Sequence, residues 1–320
     1  LTVEIAIVLV GLYVGANIGA NDAANCIGPS IGAGLVRLRT GVVVVATFVV
    51  AGALLQGSAV AKTIGKGIVT DPLGELAVGA ALFCGGILVS LATFKRIPVS
   101  TSQSVVGAVA GVGVAADLNV DWSQTLNIVG AWVICPILTM VLTYGLYRGT
   151  LFYLSRTKRE PTVRKVLGWL VLGSAAYAGY SLGANNLGNA IGPITALDKQ
   201  VADPQLLTIV GALSIAAGTL FFSKGVIETV GHSIIPLDLP SAFAVQVSGG
   251  FGLHLFSMLG APVSTSQAIV GALLGIGLVQ GIRTLSKRKV LEVVIGWVAT
   301  PTLAGVTAFG IYTAIMAIGS

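Results

Sequence analysis

Charged residues are what this chain has fewest of. Asp, Glu, Lys and Arg make up 9% of its 320 residues, where soluble proteins carry about 25%, and that shortage excludes a water-solvated globular domain. With 55% hydrophobic residues and a mean hydropathy of +0.93, the composition is that of an integral membrane protein. Cysteine is nearly missing as well. Cys26, Cys84 and Cys135 sit in apolar stretches without disulfide or metal-ligand spacing, so they read as packed core residues. The two histidines, His232 and His254, stand alone, and neither has a serine or cysteine at a suggestive distance, so no nucleophile and base pair for an intramembrane enzyme is legible. Aromatics are few while glycines number 43, a combination that fits spans packed closely through small residues. No cleavable signal sequence is evident, and the missing initiator methionine is read as a trimmed start.

Against this apolar background one polar hexapeptide occurs twice. Pro98-Val-Ser-Thr-Ser-Gln103 returns as Pro262-Val-Ser-Thr-Ser-Gln267, an offset of 262 − 98 = 164, and 11 of 17 positions match between Pro98–Val114 and Pro262–Leu278. A second pair has the same offset: Gly19-Ala-Asn-Asp-Ala-Ala-Asn-Cys-Ile-Gly-Pro29 and Gly183-Ala-Asn-Asn-Leu-Gly-Asn-Ala-Ile-Gly-Pro193 agree at 7 of 11 positions. Two matches at one spacing imply a duplicated chain. The halves are residues 1–155 and 166–320, joined by a basic linker over 156–165.

Apolar runs long enough to span a bilayer lie near 1–36, 40–60, 73–94, 98–116 and 124–154, and again near 166–195, 205–223, 240–259, 262–282 and 290–317. Five spans per half is odd, which forces the halves into opposite orientations. Loop charges agree. Arg37/Arg39, Lys95/Arg96, the linker (Arg156, Lys158, Arg159, Arg164, Lys165 against Glu160) and Arg283/Lys287/Arg288/Lys289 all fall on one side, read as cytoplasmic. The net charge of +6 therefore reports topology rather than a nucleic-acid partner. Asp198–Asp203, Gly260-Ala261 and Asp117–Asp121 fall on the other side, with Lys62 and Lys66 the exception there, and both termini are expected outside. The expected fold is an all-α integral protein of the cell membrane, with two inverted-topology repeats, 10–12 transmembrane segments in all and discontinuous or re-entrant helices at the substrate site. The 36-residue first run is too long for one simple span.

Backbone broken at membrane depth survives only where it lines a cavity or is buried in protein. The glycines and proline of Gly19–Pro29 predict an unwound binding loop whose Asn21, Asp22 and Asn25 oxygens suit a hard cation such as Na⁺; the second copy offers Asn185, Asn186 and Asn189. A carboxylate deep in a span is costly, which marks Asp22 as functional, and Asn186 is its uncharged counterpart. The Pro-Val-Ser-Thr-Ser-Gln motifs read as helix starts capped by hydroxyls. Their free N–H groups with Ser100, Thr101, Ser102 and Gln103, and with Ser264, Thr265, Ser266 and Gln267, form two cradles for a tetrahedral oxyanion. Glu228, in a weaker repeat at an offset of 166 (Lys62-Thr63-Ile64-Gly65 against Glu228-Thr229-Val230-Gly231), is a further cation or proton candidate.

At these residues the chain resembles the inorganic phosphate transporter family, whose signature is a duplicated Gly-Ala-Asn-Asp motif followed in each half by Pro-Val-Ser-Thr-Ser. The resemblance implies an inverted-repeat symporter, not an enzyme, carrying inorganic phosphate with co-transported Na⁺ or with H⁺; some bacterial relatives carry sulfate. Na⁺ is the favoured coupling ion, no organic cofactor is expected, and the partners are phosphate and membrane lipid, with homodimers an expectation of the class. The bare linker resembles the prokaryotic form. Asn186 stands where many members have a second aspartate, and Lys62-Thr63 departs from a Glu-Thr pair that Glu228-Thr229 keeps, so two of four implied carboxylates are absent. A channel needs no duplicated cation ligands and is the less favoured alternative.

Overall fold

A computed structural model describes residues 2–34, 36–156, 161–197, 199, 201–233, 236–281 and 287–319. Lys158, Arg159, Glu160, Asp198 and Arg283 of the loop-charge pattern lie outside the described residues, as do the side chains of His232, Lys287 and Lys289. Among the described residues every regular element is helical. Seven stretches are long and apolar enough to cross a membrane: 3–32, 38–56, 75–94, 122–156, 163–195, 204–222 and 294–318. The protein is thus a multi-pass, all-α membrane protein.

The order of elements runs twice. First come α1 (Thr2–Asn21), α2 (Ala23–Gly32), α3 (Leu38–Gln56), the short α4 (Ser58–Lys62) with a π-turn over Thr63–Gly67, α5 (Glu75–Phe94), α6 (Thr101–Ala115) and α7 (Trp122–Arg156). Then come α8 (Pro161–Thr195), α9 (Pro204–Phe222), the short α10 (Lys224–Ser233), α11 (Leu239–Met258), α12 (Thr265–Gln280) and α13 (Lys287–Gly319). Helices α5 and α11, and the starts of α6 and α12, are displaced by the 164 residues that separate the motifs; α3 and α9 are displaced by 166. The short α4 and α10 follow α3 and α9 and add one short helix to each half. Helix α11 matches α5 in length but carries Ser241, Gln246, Ser248, His254 and Ser257, which explains its absence from the seven apolar spans.

Packing binds the two halves into one body, and glycines make the tightest contacts. In lipid, helices associate by close backbone approach rather than by hydrophobic drive. A Cβ on Gly19 of α1 would lie 1.9 Å from the Ile215 carbonyl of α9, and one on Gly218 of α9 would lie 2.0 Å from the Ala16 carbonyl. The equivalent crossing joins α8 to α3: a Cβ on Gly183 would stand 2.0 Å from the Val49 carbonyl, and one on Gly52 1.8 Å from the Tyr180 carbonyl. Further along, Gly107 and Gly111 of α6 meet the Pro301 and Gly305 carbonyls of α13, while Gly271 and Gly275 of α12 meet those of Pro136 and Met140 of α7. Each half's last helix therefore covers the capped helix of the other half.

Two surfaces of opposite character close the ends. On one, the segments at 69–73, 117–121 and 196–199 are stitched together by bridges Val69 to Val120 and Leu73 to Leu197 and by the Asn119 N–H on the Asp71 carboxylate at 2.8 Å. Lys199 there reaches Glu75 at 3.2 Å and Glu4 at 3.6 Å, tying the starts of α5 and α1 to the segment after α8. On the other, Arg96 lies against Gly225 beside Lys224.

One expectation needs correction. The Gly19–Pro29 motif is no unwound loop: α1 and α2 are separated only by Asp22, which itself keeps right-handed helical dihedrals, and α8 runs unbroken through Gly183–Pro193. Helical backbone survives here because Asn21 and Asn185 find partners outside their own helices, and because the Asp22 N–H still reaches the Ile18 carbonyl at 2.8 Å. Pro29 and Pro193 nevertheless lack the N–H that the Asn25 and Asn189 carbonyls would accept in a regular helix, so the motif loses one backbone bond in each copy without unwinding. Within the basic segment 156–165, Pro161 starts α8, so Arg164 and Lys165 lie on helix. Proline suits that first turn.

Candidate functional site

The capped helices form as their sequences predict. Ser100 and Ser264, both extended, accept the N–H of Gln103 and Gln267 at 3.2 Å each, and α6 and α12 start at Thr101 and Thr265. Each motif is held by an asparagine from the preceding half-motif. Asn21 donates to Thr93 Oγ1 at 2.8 Å and to the Ile97 carbonyl at 3.0 Å, and accepts the Val99 N–H at 3.0 Å. Asn185 repeats this with Ser257 Oγ at 3.1 Å, the Ala261 carbonyl at 3.1 Å and the Val263 N–H at 3.2 Å. All six partners obey the 164-residue offset. Thr93 and Ser257 were legible as a hydroxyl pair at that offset but lie outside both motifs. Asn21 and Asn185, expected as cation ligands, thus spend their amides fixing the two helix starts.

The halves meet at Ser102. Its hydroxyl donates to the Val263 carbonyl at 3.0 Å, with Asn186 Oδ1 an alternative acceptor at 3.3 Å, and it accepts from Asn189 Nδ2 at 2.9 Å. Asn186 is saturated: Oδ1 accepts from Asn189 at 2.9 Å, and Nδ2 reaches Thr265 Oγ1 at 3.2 Å and the Leu182 carbonyl at 3.3 Å. Ser264 and Ser266 share a bond of 2.9 Å. Asp22, the counterpart of Asn186, is 1% exposed and stands next to the Thr101 hydroxyl without closing a hydrogen bond to it.

Orphaned polar atoms mark the centre. Among the described residues 12 buried side-chain nitrogens and oxygens lack a partner, and 7 of them belong to the four motifs: Asp22 Oδ1 and Oδ2, Asn25 Nδ2, Thr101 Oγ1, Gln103 Oε1, Asn189 Oδ1 and Gln267 Oε1. Leaving a buried polar atom unpaired costs about 1–3 kcal/mol, and more than half of the unpaired atoms fall in these four short motifs. Gln103 and Gln267 also border a cavity of 360 Å³ whose wall repeats by halves, with Trp132 and Val133 of α7 opposite Trp297 and Val298 of α13.

Fourteen of the fifteen expected site residues are buried; Glu228 is not. Its side chain is 50% exposed on α10, with Lys224 at 4.0 Å, so the structure does not bring it into this cluster. Among the described residues no three His, Cys, Asp or Glu side chains gather as a metal cage. Sequence reasoning missed a second polar cluster, where Gln246 of α11 donates to the Cys26 carbonyl at 2.7 Å and to Ser30 Oγ at 2.6 Å and accepts from Ser174 at 2.8 Å. Nothing flagged it, because its offset mates Leu82, Ile194 and Val10 are apolar. The three cysteines are free and buried, as expected.

Residues 18–308 match the family model described as Phosphate transporter family. Among curated proteins, a protein of Methanocaldococcus jannaschii described as a phosphate permease is 31% identical, with 80% of each chain covered. One of Pyrococcus furiosus, so described too, is 29% identical over 90% of each chain, and a sulfate permease of Bacillus subtilis is 31% identical over 94% of this chain and 85% of its own. A solved structure titled the sodium-dependent phosphate transporter superposes with a TM-score of 0.89 at 25% identity, covering 99% of this chain and 100% of that one.

Proposed function

The chain belongs to the phosphate transporter family, and on that premise we propose that it is a secondary active symporter importing inorganic phosphate with Na⁺ by alternating access. The observation that carries this reading is the unpaired Asp22 carboxylate next to the N-terminus of α6, which the bond from Ser102 to the Val263 carbonyl ties to the N-terminus of α12. Those N-termini attract an anion through free N–H groups and the positive end of the helix dipole. No Arg or Lys lies in the four motifs, so burying phosphate next to Asp22 is unfavourable until a cation joins them. That is a physical reason for coupling: anion and cation each lower the cost of burying the other. Thr101, Ser102, Gln103, Thr265, Ser266 and Gln267, with the capping Ser100 and Ser264, face the anion; Asp22, Asn25 and Asn189 face the cation, framed by Asn21, Asn185 and Asn186.

The balance of orphaned atoms favours phosphate over sulfate. Five of the seven are acceptors, the two Asp22 oxygens and those of Gln103, Gln267 and Asn189, against two donors, Asn25 Nδ2 and the Thr101 hydroxyl. Acceptors want cations or a protonated oxyanion, and at neutral pH phosphate keeps a proton that sulfate lacks. Orientation follows from the two end surfaces, with the Glu4, Asp71 and Glu75 side outside, both termini included, and the Arg96 and Lys224 side cytoplasmic.

Labelled phosphate uptake into proteoliposomes, with Na⁺ and pH gradients set independently, tests the reading. Uptake should follow the inward Na⁺ gradient and be inhibited by unlabelled phosphate more than by sulfate. A pH gradient sufficing alone points to H⁺ as the coupling ion, and sulfate displacing label better than phosphate sinks the substrate assignment. The Bacillus subtilis relative is why sulfate is the competitor of choice.

Asymmetry between the halves gives a second measurement. In Asn186→Asp, Asn189 and Ser102 can still donate to the new carboxylate, and the Thr265 hydroxyl can turn to do so, while the cradle gains a negative charge. A steeper dependence of uptake on Na⁺ concentration is expected. An unchanged Hill coefficient counts against a cation site set by carboxylate number.

A further inference from the structure

Far from the anion cradle, the ends of α7 and α8 and the start of α11 enclose a cavity of 520 Å³ lined by Leu146, Gly149, Leu154, Val166, Leu170 and Phe243 among others. The wall is apolar, and it stays open because of glycine. A Cβ added at Gly145 or Gly149, one turn apart on α7, would meet no atom within 4 Å, unlike the glycines that clamp helix to helix elsewhere. Val166 and Leu170 are exposed, so the groove opens on the outer face of the bundle.

One end of this groove is cationic. Arg156 ends α7 just past the lining residue Leu154, and Arg164 and Lys165 of α8 adjoin the lining residues Val163 and Val166 in sequence, while Arg148 stands next to Gly149 at the level of the slot. Arg156 lies over the Phe152 ring at 4.1 Å, and Arg148 reaches the Tyr144 hydroxyl at 2.9 Å, which orients both guanidiniums without neutralising them. Among the described residues none of these four side chains has a carboxylate partner within ion-pair distance. Asp238, at the start of α11, is occupied as that helix's cap, accepting the Ser241 N–H at 3.0 Å. From Gly145 to Arg156 helix α7 rises about 16 Å, so apolar slot and cationic mouth line up along the membrane normal as an acyl chain and its headgroup do.

We propose that this groove is a binding site for one anionic phospholipid, an acyl chain lying over Gly145 and Gly149 and the headgroup phosphate held by Arg156, Arg164 and Lys165 with Arg148 alongside. Charge complementarity selects the occupant. A zwitterionic lipid offers the same chain, but its own ammonium opposes a site with unpaired cations, and basic pockets between spans on the cytoplasmic side bind anionic headgroups. The assignment is independent of the transported substrate, because none of these residues belongs to the anion cradle.

Native mass spectrometry of the full chain in detergent, titrated with phosphatidylglycerol or phosphatidylcholine, tests it. One phosphatidylglycerol should bind at least about ten-fold more tightly than phosphatidylcholine, and each of Arg156→Gln and Arg164→Gln should weaken it by about five-fold. Gly149→Leu fills the slot and should abolish binding of both lipids while leaving Na⁺-driven phosphate uptake intact; Gly145→Leu serves the same purpose should Gly149→Leu not fold. Equal binding of the two lipids by the unaltered protein overturns the proposal. So does undiminished phosphatidylglycerol binding in the slot-filling variant, or loss of a dimer in that variant without loss of lipid, which would assign the groove to a second copy of the chain. Inorganic phosphate should not displace the lipid; competition at the concentrations that saturate transport would mean that the arginines form a free-anion site instead.

Discussion

Asp22→Asn is expected to reduce Na⁺-driven phosphate uptake to background while leaving the protein folded. The substitution is nearly isosteric, and the carboxylate it removes makes no hydrogen bond that holds the fold, since both oxygens are unpartnered. What is lost is the only formal negative charge within the four motifs. Breaking a buried charge pair by removing one partner costs about 3–5 kcal/mol, and each 1.4 kcal/mol is about ten-fold in affinity, so the Na⁺ concentration giving half-maximal uptake should rise by two orders of magnitude or more. Transport assays across a Na⁺ series, with elution profile and melting temperature as folding controls, measure this. Uptake with an unaltered Na⁺ midpoint would remove Asp22 from the coupling site. Half-maximal uptake shifting with pH in the parent and becoming pH-insensitive in the variant would instead identify Asp22 as the carrier of a coupling proton.

Gly183→Ala carries the second large effect, and it acts on the fold. A methyl group there would sit 2.0 Å from the Val49 carbonyl and 2.8 Å from the Ala53 nitrogen, backbone atoms that can move only if α3 and α8 separate. Overpacking of a tight core costs about 1–3 kcal/mol and occasionally more, and here the strained contact lies two residues before Asn185, which holds the start of α12. A marked fall in folded yield is expected, together with weaker phosphate binding in whatever folds. Gly19→Ala should behave alike, its methyl meeting the Ile215 carbonyl at 1.9 Å. Gly79→Ala and Gly130→Ala are the controls: no atom lies within 4 Å of either added methyl, and replacing a helical glycine by alanine is favourable by about 0.5–1 kcal/mol. If all four variants express and melt alike, close helix crossing is not what holds this bundle.

Much of this was legible because duplication repeats chemistry at fixed distance. The offset of 164 exposed both motif pairs, and the rule that serines cap helices put the starts of α6 and α12 within the repeated hexapeptide, although Pro98 and Pro262 precede the first turn instead of lying in it. Helical continuity through Gly183–Pro193 was not legible, because glycine and proline lower local helix propensity while the bonds that restore it, from Asn185 to Ser257 and Ala261, come from more than 70 residues away. Glu228 illustrates the converse. Its pattern match was real, but α10 turns that side chain toward Lys224 and the surface, a matter of helix phase that one aligned dipeptide does not carry. The Gln246 cluster left no trace at all, since a polar contact between the halves whose offset mates are apolar is invisible to a comparison of halves.

The crossing of α6 with α13 has a consequence for the order of events during synthesis. Helix α6 carries Thr101, Ser102 and Gln103 and is made well before α13, yet Gly107 and Gly111 on its flank wait for the carbonyls of Pro301 and Gly305. Helix α6 thus gains this neighbour only once α13 has followed it into the membrane, so a chain interrupted before α13 holds Thr101, Ser102 and Gln103 without the wall that keeps them in place.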